Sequence, residues 1–211
     1  MIQIKQLNTI NNKNIDFEYD IRSLTKAFYP REDITLEELA DVDKVLEVSY
    51  DKTQIGISFY ESGVPILTKS ATADSDDRKN TKNVLKRLLY SVLSQITQKT
   101  LKWGTLTGIR PTKLAMKKLE QGESLKSIET FMYNTYLCSK EKTDLCMDIV
   151  SREYKILEEI DYKNGYSVYI GIPFCPSICS YCSFASSPAS KYQNVMDEYI
   201  QALFKEIEYA K

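Results

Sequence analysis

The chain has 211 residues, of which 43% are hydrophobic and 27% are charged, and its formal net charge is −1. No apolar run approaches the roughly 18 residues of a membrane span, and the first residues lack the pattern of a signal peptide, so we expect a cytoplasmic protein. Its five cysteines are an odd number and lie late in the chain, which favours metal or redox chemistry over disulfides.

The first third of the chain reads as β-structure with one helix. The segments 1–7 and 15–20 flank the turn-rich "NTINNKN", which predicts a hairpin, and "IRSLTKAFY" predicts a short helix after it. Three β-rich runs follow at 44–50, 54–60 and 64–69, separated by "DKT" and "ESG". This spacing predicts an antiparallel meander.

The middle of the chain reads as helical. Asp76 or Asp77 is placed to cap a helix from about 78 to 98, and the glycines and the proline of "KWGTLTGIRP" end it. Pro111 suits the first turn of the next helix. Two further helices are predicted with Ser124 and Ser139 as caps, and the second of them runs to about residue 158.

A basic stretch spans Arg78 to Leu119, with 11 Lys or Arg and no Asp or Glu. It is either a solvated helix face or a surface for an anionic ligand such as RNA, a phosphate or a polycarboxylate. Within it, Arg110 and Lys113 gather at a helix N-terminus, which is a place that binds anions. They are candidate anion-binding residues, although a plain helix start at Pro111 explains the pattern as well.

The last 45 residues have a different pattern. "YSVYIGI" predicts a strand buried on both faces, a cysteine-rich loop follows, and an amphipathic helix covers 192–210. Strand, loop and helix form one βα unit. We therefore expect an α/β protein, with an α+β domain at 1–160 and the first βα unit of a (β/α) barrel at 165–211. A barrel of this kind needs about 250 residues, so we expect the chain to be the N-terminal part of a longer protein and to be inactive alone.

Cys175, Cys179 and Cys182 have the spacing C-x3-C-x2-C on that loop. Three soft ligands together can bind zinc or an iron–sulfur cluster. A [4Fe–4S] cluster normally takes four thiolates, so three would leave one iron open to another ligand. Zinc and three merely reduced cysteines stay as alternatives. Cys138 and Cys146 lie on or near predicted helices and are expected to be buried apolar residues.

The loop resembles that of the radical S-adenosylmethionine (SAM) superfamily, including the aromatic Tyr181 just before the last cysteine. The resemblance implies that Cys175, Cys179 and Cys182 hold a [4Fe–4S] cluster. It also implies that Tyr169 and Tyr181 contact SAM, with core packing as the alternative for both tyrosines.

The flanking segments narrow the resemblance. "YIGIPFC" and "DEYIQALFKEI" resemble the oxygen-independent coproporphyrinogen III dehydrogenase group, and "WGTLTGIRPTKL" resembles its HemZ-type branch. This implies an oxidoreductase of haem biosynthesis that converts propionate side chains to vinyl groups, with a porphyrinogen substrate and an electron donor such as flavodoxin or ferredoxin. Gly171 and Phe184 depart from the pattern, since the dehydrogenases have a histidine and a cysteine there.

Two other functions stay open. Related haem chaperones also lack the extra cysteine, so the protein could bind haem without this reaction. An RNA-modifying radical SAM enzyme would use the basic stretch to hold RNA, but Tyr90 and Trp103 are its only stacking aromatics.

Overall fold

The computed structural model describes residues 1–8, 16–74, 76–162 and 164–210. The chain divides into two compact units, 1–160 and 161–211. No helix in the described part of the chain combines the length and the apolar character needed to cross a membrane.

The first unit is built on a mixed five-stranded sheet with the order β2-β1-β3-β4-β5, and the protein is of the α/β class. The antiparallel meander of β3, β4 and β5 is confirmed. β1 pairs in parallel with both β2 and β3. The strands are β1 (Ile2–Asn8), β2 (Ile34–Thr35), β3 (Lys44–Tyr50), β4 (Gln54–Glu61) and β5 (Val64–Thr72).

The predicted N-terminal hairpin is wrong, because its second arm is helical. Helix α1 (Glu18–Phe28) includes part of "IDFEYD", and the intended turn lies mostly at 9–15, outside the described residues. The reason is visible in the spacing of the buried residues Phe17, Ile21, Leu24 and Phe28, which repeats every three or four positions. With that period, all four side chains lie on one face of a helix, whereas a strand would divide them between its two faces.

Helix α2 (Arg78–Thr97) packs against the sheet. Its start is fixed as predicted, since the Asn80 backbone N–H donates to the carboxylate of Asp77 at 2.9 Å. Its buried face joins one hydrophobic core with α1 and the strands. The residues of that face are Leu85, Leu88, Leu89, Val92 and Leu93.

Three more helices complete the first unit: α3 (Pro111–Glu120), α4 (Leu125–Tyr136) and α5 (Lys140–Glu158). Both predicted serine caps are confirmed, because Ser124 accepts from Ser127 N–H and Ser139 accepts from Lys142 N–H. These helices enclose a second, smaller core.

The second unit has little regular structure before its last helix. It contains β6 (Phe174–Cys175), β7 (Ser187–Pro188), α6 (Ala189–Tyr192), a short 3₁₀ turn and α7 (Met196–Ala210). The strand predicted at 166–171 is not formed. A strand needs a neighbour to receive its backbone hydrogen bonds, and no described residue pairs with this segment. No residue of the described part of this unit is buried.

Candidate functional site

The three clustered cysteines lie on one loop of the second unit. Cys175 is half-buried at the end of β6, whereas Cys179 and Cys182 are exposed. The Cys182 backbone N–H donates to the Cys179 carbonyl at 3.0 Å, which closes a turn between them. At the base of the loop, the Ser187 N–H donates to the Pro173 carbonyl at 2.7 Å. The spacing thus produces a loop that is pinned at its base and open at its tip.

A cavity of about 350 Å³ lies beside this loop. Cys175 and Cys182 line it together with aromatic side chains that include Tyr169 and Tyr199. The Tyr199 hydroxyl, on α7, donates to the Gly171 carbonyl at 2.6 Å. The sequence predicted only an amphipathic helix over 192–210 here, so the role of Tyr199 in joining α7 to the loop was missed.

The two predicted SAM contacts occupy different positions. Tyr169 is 86% exposed and lines the cavity, whereas Tyr181 is 88% exposed and is not among the lining residues. Neither side chain is packed in a core of the described residues. Phe184 and Gly171, the two departures from the dehydrogenase pattern, also line the cavity.

The chemistry of the loop thiols fits an iron–sulfur cluster, although the cysteines do not converge. Among the described residues, no three His, Cys, Asp or Glu side chains lie close enough to hold a metal ion. None of the five cysteines forms a disulfide. Burial raises the pKa of Cys138 and of Cys146 to about 11, so these two thiols stay protonated and are poor ligands. The loop cysteines are the accessible donors, and iron would have to draw their sulfurs together.

Most cations of the basic stretch form salt bridges or hydrogen bonds inside the first unit. Four of its lysines pair with acids outside the stretch: Lys82 and Lys86 with Asp20, Lys102 with Glu141, and Lys118 with Glu123. Three more of its cations donate to backbone carbonyls: Arg78, Arg87 and Lys99. The stretch is therefore neither a plain solvated face nor a continuous anion surface.

Within the motif "WGTLTGIRPTKL", several residues have structural roles. Gly104 has φ +57°, and a Cβ there would lie 1.9 Å from the Tyr136 carbonyl oxygen. Thr107 accepts a hydrogen bond from the Lys86 ammonium at 3.2 Å, in the same cluster as Asp20. Burial lowers the pKa of Lys86. The loop part of the motif is thus joined to α2 by the hydrogen bond between Thr107 and Lys86.

The candidate anion-binding residues lie together at a second, larger cavity. Arg110 and Lys113 line a cavity of about 550 Å³ between α3 and α5, and Lys117 lines it with them. Lys117 was not predicted. Its spacing of four residues from Lys113 places both on one helix face and was the signal that could have found it.

Comparison with known proteins gives one clear relative. The oxygen-independent coproporphyrinogen-III oxidase-like protein HemZ of Bacillus subtilis (strain 168) is 34% identical to the chain over 173 residues. The alignment covers 78% of the chain and 34% of HemZ, so the chain spans about a third of the length of this relative. No protein-family model matches the chain, and no solved structure matches it significantly. The similarity confirms the predicted resemblance to the HemZ-type branch, and it extends well beyond the segments 103–114 and 166–207.

Proposed function

We propose, from the relationship to HemZ, that the whole protein is a radical SAM oxidoreductase that oxidatively decarboxylates propionate side chains of coproporphyrinogen III. The observation that supports this most is the loop with Cys175, Cys179 and Cys182, which carries three free thiols, two of which, Cys175 and Cys182, line an aromatic cavity. When bound there, a [4Fe–4S] cluster with SAM would supply the radical that removes hydrogen from the propionate.

In this proposal the residues around the loop have different roles. The three cysteines hold the iron, and the backbone hydrogen bond between Cys182 and Cys179 closes the turn that carries two of them. Tyr169 would contact SAM from the cavity wall. Tyr199 fixes the distance between α7 and the backbone at Gly171 through its hydrogen bond. We assign Tyr181 to SAM as well, from the resemblance alone.

The first experiment tests the cluster. The full-length protein is purified without oxygen, and its iron, sulfide and zinc are measured, with the single variants Cys175→Ala, Cys179→Ala and Cys182→Ala beside it. We expect about four irons and four sulfides per chain and a large loss in each variant. Cys146→Ala is the matched control, because that thiol is buried in the core of the first unit, and it should keep the cluster. Stoichiometric zinc without sulfide would reject the proposal.

The second experiment tests the reaction. The reconstituted protein is incubated with coproporphyrinogen III, SAM and a reductant such as reduced flavodoxin or ferredoxin, and carbon dioxide and vinyl products are measured. Turnover supports the proposed reaction. A protein that carries the cluster and binds haem, but releases no carbon dioxide, would instead be a chaperone-like member of the family. Product formed only on RNA would assign it to RNA modification.

A further inference from the structure

The cavity between α3 and α5 in the first unit has a charged wall and an apolar wall. Arg110, Lys113 and Lys117 contribute the cations, all from α3 or its N-cap position. Met116 on α3, with Ile156 and Leu157 on α5, contributes the apolar surface. Ile156 is 64% exposed, and with Met116 and Leu157 it forms an apolar patch on the cavity wall that a ligand could cover.

The cations of this cavity form no salt bridge in the described part of the chain, although two acids, Glu120 and Glu153, also line the cavity. The side chains of Arg110, Lys113 and Lys117 form no hydrogen bond or salt bridge there. The neighbouring Lys118 behaves differently, since it pairs with Glu123 and lies over the Phe131 ring. Three unpaired cations are thus gathered at one cavity, in a stretch where seven others have partners.

The position of two of these cations is also unfavourable for the helix itself. Arg110 is the N-cap of α3 and makes no side-chain cap, and Lys113 lies in the first turn, which contains no acid. The N-terminus of a helix is the positive end of its dipole, so cations there are destabilising and an anion is stabilising. A bound anion would relieve this repulsion.

The apolar wall limits the ligand. A bare phosphate or an RNA backbone would leave Met116, Ile156 and Leu157 unused, and no aromatic ring lines the cavity to stack on a base. Glu120 lies at the other end of α3, about 15 Å along the helix axis from Arg110. Glu153 on α5 lines the cavity as well, and each of these acids disfavours negative charge close to it, whereas Arg110 and Lys113 favour it at the start of α3. The cavity therefore suits a molecule with an apolar body and carboxylates concentrated on one side.

We infer that this cavity is a binding site for a tetrapyrrole carboxylate. Arg110 and Lys113 hold its carboxylates, and Met116, Ile156 and Leu157 cover part of its macrocycle. The apolar-body-and-carboxylate chemistry follows from the cavity, whereas the choice of a tetrapyrrole rests on the proposed function. The site lies within residues 1–160 and includes none of the cysteines of the loop.

The experiment titrates the 211-residue chain with coproporphyrin III, a stable tetracarboxylate, and follows porphyrin fluorescence. We expect micromolar binding that the Arg110→Gln, Lys113→Gln double variant weakens at least tenfold. Lys79→Gln is the matched control, because Lys79 is an exposed cation of the same stretch that does not line the cavity; it should bind within twofold of the original chain. Ile156→Ser should weaken binding about threefold. Thermal unfolding of each variant checks that it is folded.

Two comparisons complete the design. The tetramethyl ester of the same porphyrin should bind at least tenfold more weakly, because it lacks the charges that Arg110 and Lys113 recognise. No binding by the original chain, equal loss in Lys79→Gln, or equally tight binding of RNA or linear polyphosphate at the same residues would overturn the inference. The iron and sulfide measurements are independent of this titration, so failure of one does not imply failure of the other.

Discussion

Each unit contains an amphipathic helix, but the apolar face is buried in the first unit and exposed in the second. Helices α2 and α7 each carry one apolar face, but α2 buries Leu85, Leu89 and Val92, whereas Phe204 on α7 is 56% exposed. In the first unit a sheet lies against the apolar face of the helix, and in the second the described strands are two residues long. An apolar face indicates where a helix needs a partner, and the surrounding chain decides whether it has one. The predictions below test how far this difference extends to stability and reactivity.

The largest difference should appear in limited proteolysis. The described residues of 161–193 form only short elements and include no buried side chain, so this segment should be cut without global unfolding. Cutting within the helices and strands of the first unit requires its core to open, which costs several kcal/mol. We expect a low concentration of thermolysin to cleave in 161–193 at least about 1,000-fold faster than within the helices and strands of the first unit, as measured by mass spectrometry of the fragments. A chain that resists cleavage throughout would show that the second unit is covered.

Two phenylalanines give a matched test of the cores. Phe28 is fully buried in the first unit, and Phe28→Ala should lower the free energy of unfolding by about 3–5 kcal/mol through the cavity it leaves. Phe204→Ala removes the same atoms from an exposed site and should change it by less than about 0.5 kcal/mol. Urea unfolding measures both. A large loss from Phe204→Ala would mean that α7 is packed in solution.

Two glycines extend the comparison to the backbone. Gly104→Ala combines a positive φ with a Cβ 1.9 Å from the Tyr136 carbonyl, so we expect a loss of about 2–4 kcal/mol. Gly171→Ala meets only a Tyr169 ring carbon at 3.5 Å and should be neutral within about 0.5 kcal/mol. Thermal unfolding compares the two. Equal effects would show that the backbone near Gly171 is as constrained as that at Gly104.

Thiol labelling separates the cysteines of the two units. At pH 8 we expect Cys175, Cys179 and Cys182 to react quickly with iodoacetamide, because none of them is buried. Cys138 and Cys146 should react at least roughly 100-fold more slowly, since burial blocks access and raises their pKa to about 11. Peptide mapping identifies the labelled sites. Fast labelling at Cys146 would contradict the small helical core.

The smallest effect is a dependence of stability on alkaline pH. The unfolded chain releases the protons of Cys138 and Cys146 near the ordinary pKa of 9.0, while the folded chain keeps them to about 11. Each buried, protonated thiol therefore contributes about 1–3 kcal/mol to the free energy of unfolding. This stabilisation is complete below pH 9 and is lost as the pH rises to 11. Urea unfolding between pH 8 and 10.5 should therefore show a shallower decline for Cys146→Ala than for the original chain. An unchanged slope would exclude the thiol as a cause.

Features fixed by neighbouring residues could be predicted from the sequence. Asp77, Ser124 and Ser139 cap helices because a side-chain oxygen reaches a backbone N–H three residues ahead. Pro111 begins α3 for a similarly local reason. The meander could be predicted because only short turns separate its runs of β-branched and aromatic residues.

Features that depend on distant residues could not be predicted in this way. The parallel pairing of β1 with β3 joins segments separated by α1, and no local pattern encodes it. The segment 166–171 has the composition of a strand but lacks a partner among the described residues. At the candidate sites, the cysteine spacing and the pair Arg110 and Lys113 were visible. The apolar wall from α5 was not, because it depends on how two helices pack.

The parallel pairing of β1 has a consequence for synthesis on the ribosome. Ile2 pairs with Lys44, and Asn8 pairs with Tyr50 at the far end of the ladder. At a synthesis rate of about 5–20 residues per second, β1 emerges several seconds before β3 exists. During that time Ile2 and Ile4, which are buried in the finished sheet, lack the seven-residue ladder that β3 provides. The long ladder that holds β1 in the sheet therefore cannot begin to form until residues 44–50 have been made.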